Sequence, residues 1–403
     1  MTRNPVVIVG AGQAAASVAL RLRANGYPDP ILILGDEGHP PYQRPPLSKK
    51  HLAGANGADG LYIRPPAFWR EAGVQLGMDT HVERIDVAGK SLHAGSERIV
   101  WSRLVLATGS RARPIPEAFA GRDNVFELRS LADVRRLAPH FTAGKRLAVV
   151  GGGFIGLETA AVARRAGLDV TVIERAPRIL ERAVCPNIST FIRDLHQSNG
   201  VRVIEGRAVL QAVGERAVNE IILDDGETIA ADLVLLGIGV VAESGLAKAA
   251  GLATGDGIIV DARGRTSAPD IWAAGDCTAF PYQGELIRLE NVQNAIDQAE
   301  VVADDICGRP ASYAPVPWFW SDQYESKLQI VGLARDHDGP IVRPGERGGI
   351  SSWYFKGDRL VAVAAVDDVR AYMTAKRLLE RGVPTDRERI ADPTLDLRSL
   401  LAA

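Results

Sequence analysis

Two stretches of the chain share one order of hydrophobic and polar positions. Residues 6–36 open with the apolar run Val6–Val9 and turn at Gly10-Ala11-Gly12. They continue as an Ala-rich helical pattern and return to an apolar run, Ile31–Leu34, before Asp36. Residues 147–174 repeat this order, with Gly151-Gly152-Gly153 at the turn and Glu174 at the end. Uninterrupted Val/Ile/Leu runs predict strands covered on both faces, as in parallel sheets. Each stretch is therefore a βαβ unit, and the chain holds two. Further strands are predicted within LVLATGSRARP (104–114), stopped by Thr108-Gly109, within LVLLGIG (233–239), stopped by Gly237 and Gly239, and within IWAAGD (271–276), ending in Gly275-Asp276. Beyond residue 315, SSWYF and LVAVAAV flank Lys356-Gly357-Asp358-Arg359 and predict an antiparallel hairpin, followed by a helix over 369–380. The predicted fold class is α/β: two Rossmann-like domains plus a C-terminal α+β domain.

The glycine spacing carries chemistry. Gly10 and Gly12, and again Gly151 and Gly153, allow a tight turn and let backbone N–H groups approach a pyrophosphate. The third small position, Ala15 or Gly156, lets helix and strand pack closely. The helix N-terminus then presents its positive dipole end to the phosphates. An acidic residue about 20 positions on, Asp36 or Glu174, accepts hydrogen bonds from a ribose. One such motif is weak evidence, but two in full strand–turn–helix–strand–acid context predict two dinucleotide sites.

Composition narrows the picture further. The chain has 403 residues, 46% apolar and 24% charged, as expected of a soluble globular protein of two or three domains. Lys+Arg number 47 and Asp+Glu 49, so no global basic excess points to nucleic acid. The run Val6–Val9 is too short for a signal-peptide core, and no apolar run approaches the length that spans a membrane. Three cysteines, Cys185, Cys277 and Cys307, make no disulfide framework, so a reducing, cytoplasmic setting is expected. His39, His51 and His81 form no metal-like cluster.

Together these motifs resemble the two-dinucleotide-binding-domain flavoproteins of the glutathione-reductase-like fold, in which one site holds FAD and the other NAD(P)H. That resemblance implies an FAD-binding domain at 1–115 and 240–315, an NADH-binding domain at 116–239 and a C-terminal domain at 316–403. Disulfide reductases of this fold carry a cysteine pair after the first unit; the matching stretch here, PYQRPPLSK (Pro41 to Lys49), has none. No internal thiol can then store electrons. PYQRPPLSK, GGGFIGLE, LRSL, ENVQNA, WFWSDQ and DPTLDL are similar to ferredoxin reductases of bacterial cytochrome P450 and Rieske oxygenase systems. VVAES at 240–244 departs from the usual pattern at the nicotinamide-side loop.

The resemblance implies residue roles. Gly10, Gly12, Gln13, Ala14, Asp36, Arg44, Lys49, Val82, Ala107, Thr108, Gly109, Arg129, Gly275, Asp276 and Val292 would bind FAD. Gly151, Gly153, Phe154, Ile155, Gly156, Glu158, Glu174, Gly237, Ile238 and Gly239 would bind NADH. Lys49 and Glu158 would pair near the nicotinamide. Trp320 would stand close to the flavin on the partner side, although an interior aromatic anchor reads equally well. Glu174 favours NADH by repelling a 2′-phosphate, while Arg175, Arg178 and Arg182 stand nearby in sequence. The implied activity carries electrons from NADH through FAD to a [2Fe–2S] ferredoxin held in a transient electrostatic complex. Arg64, Arg309, Lys327 and Arg335 are candidate steering charges, and the chain would be a monomer or weak dimer. Two other readings keep the same fold: a rubredoxin- or nitrite-reductase-linked reductase, and a signalling flavoprotein resembling apoptosis-inducing factor.

Overall fold

A computed structural model describes residues 3–54, 57–310, 312–345 and 348–401. The chain divides into two compact units. One comprises Met1–Arg44, Asn56–Arg111 and Val240–Pro315; the other comprises Pro45–Ala55, Ala112–Gly239 and Val316–Ala403.

The first unit is built on a five-stranded parallel sheet. Its order is Ile271–Ala273, Arg103–Leu106, Val6–Val9, Ile31–Leu34 and Val74–Gly77. Val6–Val9 is central and pairs Val6 with both Ile31 and Arg103. Val6, Ile8, Ile31, Ile33 and Val105 are wholly buried in one core with the helices Gln13–Ala24 and Val292–Ile306. Each such side chain contributes about 1.5–3 kcal/mol relative to exposure. This is why the first strand reads as an unbroken apolar run.

The second unit repeats the plan. Its parallel sheet runs Arg202–Glu205, Asp169–Glu174, Arg146–Val150, Leu233–Leu236 and Val125–Phe126. The helix Phe154–Arg165 follows the central strand. The same unit holds an antiparallel five-stranded sheet in the order Trp318–Gln323, Ser326–Gly332, Arg359–Val366, Ile350–Lys356 and Pro340–Pro344. The hairpin expected around Gly357 is its Ile350–Lys356/Arg359–Val366 pair, with a register shift between Tyr354 and Phe355. The expected helix spans Val369–Arg381, and its buried face (Ala371, Tyr372, Ala375, Leu378) packs with Trp353, Phe355 and Val363.

Candidate functional site

The strands of each parallel sheet end on one edge, and the glycine turns lie there. In the first unit Val6–Val9 runs into Gly10, whose φ is +106°. A Cβ on Gly10 would lie 2.1 Å from the Ala107 carbonyl oxygen. The first strand and the end of Arg103–Leu106 can approach this closely only with glycine there. Gly151 repeats the geometry at φ +109°, with the Gly237 oxygen 2.4 Å from where its Cβ would be.

Both glycine turns feed a helix whose N-cap is glycine, Gly12 or Gly153, in extended conformation. Neither helix has a side-chain cap or an acidic residue in its first turn. By contrast, Asn291 and Asp368 cap the helices they precede. The first N–H groups of the two glycine-led helices are thus left for an outside acceptor. This arrangement fits the pyrophosphate of a dinucleotide in each cradle.

Around the first cradle, Gly275 packs against Ala14, with 3.1 Å between a hypothetical Gly275 Cβ and that of Ala14. Gly275 N–H donates to Gln298 Oε1 (2.8 Å), and Thr278 Oγ donates to the same oxygen (2.9 Å). Asp276 is half-buried and accepts from Ser110 Oγ at 2.9 Å. Thr108 Oγ donates to the Glu243 carbonyl (2.5 Å), fixing the Ala107–Gly109 turn. Asp36 is exposed just past the second strand. Its neighbour Glu37 binds Arg44 (2.6 Å) and the Tyr42 hydroxyl (2.5 Å). Val82 is buried, and Val292 opens the helix capped by Asn291. Arg129 belongs to the second unit, in the loop before the capped helix Leu131–Leu137. The cysteine beside this cradle, Cys277, is fully enclosed, and burial pushes its thiol pKa up, so it is not a ready thiolate.

Around the second cradle, Glu174 closes the loop on itself: its carboxylate accepts from the N–H groups of Gly152 (2.6 Å) and Ala176 (2.7 Å). Arg178 is engaged by Glu181 and the Val184 carbonyl, while Arg175 and Arg182 are exposed. Phe154 packs on Phe319 with 4.4 Å between rings, and Ile155 is 44% exposed beside it. Gly237, Ile238 and Gly239 follow the strand Leu233–Leu236.

Glu158 sits in the second turn of the cradle helix and is almost wholly buried. Its carboxylate binds Lys49 Nζ (2.9 Å), Ser48 Oγ (2.5 Å) and Ser321 Oγ (2.6 Å). The Lys49–Glu158 pair is therefore formed, and the two serines are partners that sequence reading passed over. A buried carboxylate needs donors to replace water, so hydroxyls beside the motif residues were the available signal. Trp320 is half-buried on the other face of its strand, 5.5 Å from the Trp318 ring. Among the described residues no group of His, Cys, Asp and Glu could hold a metal ion. Among them, no helix is long and apolar enough to cross a membrane.

Comparison with known proteins gives the cradles their context. Residues 4–299 match the family described as pyridine nucleotide-disulphide oxidoreductase, and residues 318–401 match a reductase C-terminal domain. The chain belongs to the pyridine nucleotide-disulphide oxidoreductase family. Among family members, it is 39% identical to rhodocoxin reductase of Rhodococcus erythropolis, covering 98% of this chain and 94% of that protein. It is 38% identical to putidaredoxin reductase of Pseudomonas putida, over 99% and 97%. The covalent putidaredoxin reductase–putidaredoxin complex superposes with a TM-score of 0.95 at 36% identity, covering 100% of this chain and 99% of that one. The family resemblance drawn from PYQRPPLSK, GGGFIGLE and WFWSDQ thus holds along the whole chain.

Proposed function

We infer that this protein is an oxidoreductase that takes electrons from NADH through FAD to a [2Fe–2S] ferredoxin, which in turn serves a cytochrome P450 or Rieske oxygenase. The observation that carries this reading is the full-length match to ferredoxin reductases, combined with two uncapped dinucleotide cradles and a thiol-free Pro41–Lys49 segment. FAD, when bound, accepts a hydride and releases electrons singly, which a one-electron iron–sulfur acceptor requires.

The chain's own residues bind and orient. In this reading residues 1–115 and 240–315 hold FAD, 116–239 hold NADH and 316–403 face the partner. The Gly12-led helix takes the FAD pyrophosphate, with Asp36 on its ribose, and Asp276 holds the ribityl chain. The Gly153-led helix takes the nicotinamide nucleotide, and Glu174 selects NADH by repelling a 2′-phosphate. Lys49, neutralised by Glu158, sets the charge near the reacting rings. Trp320 lines the exit toward the ferredoxin. The protein works in the cytoplasm. Purified protein reconstituted with FAD is expected to bleach on anaerobic addition of NADH, faster than with NADPH. Protein that binds FAD but is not bleached by NADH contradicts the reading.

A further inference from the structure

Glu158 is the end of a longer hydrogen-bonded chain. Ser321 Oγ donates to Glu158 Oε1 (2.6 Å), and Gln323 Nε2 donates to Ser321 Oγ (3.1 Å). Gln323 Oε1 meets His196 Nε2 at 2.8 Å. Every member is deeply buried: Glu158 is 3% exposed, Ser321 0%, Gln323 1% and His196 0%. Ser321 and Gln323 share one face of the strand Trp318–Gln323 by its two-residue period, and His196 comes from the last turn of Pro186–Ser198.

A carboxylate only accepts, so it sets the direction of the whole series. Ser321 must donate to it and then accepts from the Gln323 amide. Gln323 thereby turns its carbonyl to His196, which must carry its proton on Nε2. The other ring nitrogen, Nδ1, is buried without a partner, as this tautomer allows. Burial also lowers the His196 pKa, which favours the neutral ring. Aligned donors in a dry interior polarise one another toward the anion. Among the described residues, the charged partner of Glu158 is Lys49. His196 faces the Tyr324 ring at 5.1 Å, and the Arg165 guanidinium lies 5.6 Å from the same ring.

We propose that Ser321, Gln323 and His196 are positioning residues, a one-way series of donors that fixes the Glu158 carboxylate on Lys49 for NADH oxidation. This rests on the reading of Glu158 and Lys49 as the nicotinamide-side pair. Sequence alone hides the series because its members come from three segments far apart along the chain.

The test is a double-substitution cycle with Gln323→Met, which keeps the volume and removes both amide bonds, and Glu158→Gln. Anaerobic stopped-flow reads the limiting rate of flavin reduction and the Kd for NADH. Gln323→Met is expected to slow the limiting rate roughly tenfold, as loss of an orienting partner does, and to leave the Kd for NADH within about twofold. In the Glu158→Gln background the same substitution is expected to cost nothing more, because its effect runs through the carboxylate. An equal loss in both backgrounds, or no loss in either, overturns the proposal. If Gln323→Met alone does not fold, Gln323→Met with His196→Leu leaves no orphaned donor and takes its place.

Nitrogen NMR of the imidazoles gives a readout apart from activity. His196 is expected as the Nε2–H tautomer, with its Nε2 resonance displaced by Ser321→Ala two links away. An Nδ1–H tautomer, or a resonance blind to Ser321→Ala, overturns the series. Flavin reduction unchanged in Glu158→Gln instead refutes the underlying site reading, while the NMR still decides whether the series exists.

Discussion

At the scale of single residues, the site turns on how a few charged groups are held. Glu174 does two things at once. Its oxygens close the loop onto Gly152 and Ala176, and a carboxylate keeps further lone pairs for the ribose it is proposed to hold. Glu174→Ala is expected to weaken NADH use and to shrink discrimination against NADPH by roughly tenfold, about 1.4 kcal/mol. Steady-state kcat/KM for both nucleotides checks this; an unchanged ratio contradicts it. Trp320 carries a different prediction. Trp320→Ala is expected to keep flavin reduction by NADH at the parent rate and to slow ferredoxin reduction, both read by stopped-flow. Equal transfer rates would return Trp320 to the role of an interior anchor. The motif residues were legible because their spacing has a mechanism. Ser48, Ser321, Gln323 and His196 were not legible, because isolated hydroxyls, amides and imidazoles have no spacing that marks them. Only folding reveals that Ser48 and Ser321 bind one buried carboxylate and that Gln323 and His196 extend the series from Ser321.

Elements are where the repeat becomes testable. The two glycine turns have the same geometry, yet each is proposed to hold a different nucleotide. At both positions alanine would take a left-handed φ and collide with a carbonyl oxygen, costing at least about 1–3 kcal/mol locally. Gly10→Ala is expected to give protein that loses its yellow colour on purification. Gly151→Ala is expected to stay yellow and to lose NADH binding, measured by NADH titration of the flavin spectrum. The reverse assignment of losses would exchange the two cradles. The helix Pro186–Ser198 adds a pH effect through His196. Burial holds its pKa below the unfolded value of about 6.5. The neutral ring's stability is therefore present above pH ~6.5 and is lost as the pH falls, because the unfolded chain binds the proton first. The fall in Tm between pH 7.5 and 5.5 is expected to be smaller in His196→Gln than in the parent. Parallel curves contradict this. Among the elements, the parallel strands Val6–Val9, Ile31–Leu34 and Leu233–Leu236 announced themselves by unbroken Val/Ile/Leu runs, while the outer strands Val74–Gly77, Val125–Phe126 and Arg202–Glu205 carry no such run. The meander Arg84–Asp86, Ser91–Ala94 and Glu97–Val100 did not, since its short strands mix charged and apolar positions. The edge strand Pro340–Pro344 is bounded by prolines, which in sequence argue against a strand and in a sheet are confined to its edge.

At the scale of the whole molecule, one plan is used twice and then supplemented. Each parallel sheet has the strand that leads into its glycine turn at the centre, with that turn on the same edge as its neighbours' ends, where such sheets bind ligands. The α/β class and the C-terminal α+β sheet agree with the sequence reading. The five-stranded extent of that last sheet was visible only as one hairpin, because aromatic runs such as WFWSDQ fit a strand and a buried helix equally. The chain offers no accessible thiol in Pro41–Lys49, and Cys277 is enclosed. With no thiol there to take them, the electrons that enter as a hydride pass, in the proposed reading, one at a time to a separate [2Fe–2S] carrier. The most direct test is anaerobic: FAD-loaded protein is reduced with one equivalent of NADH, then mixed with excess oxidised [2Fe–2S] ferredoxin. The account predicts rapid return of the oxidised flavin spectrum with two ferredoxins reduced per NADH consumed. Flavin that stays reduced in the presence of competent [2Fe–2S] carriers would contradict it.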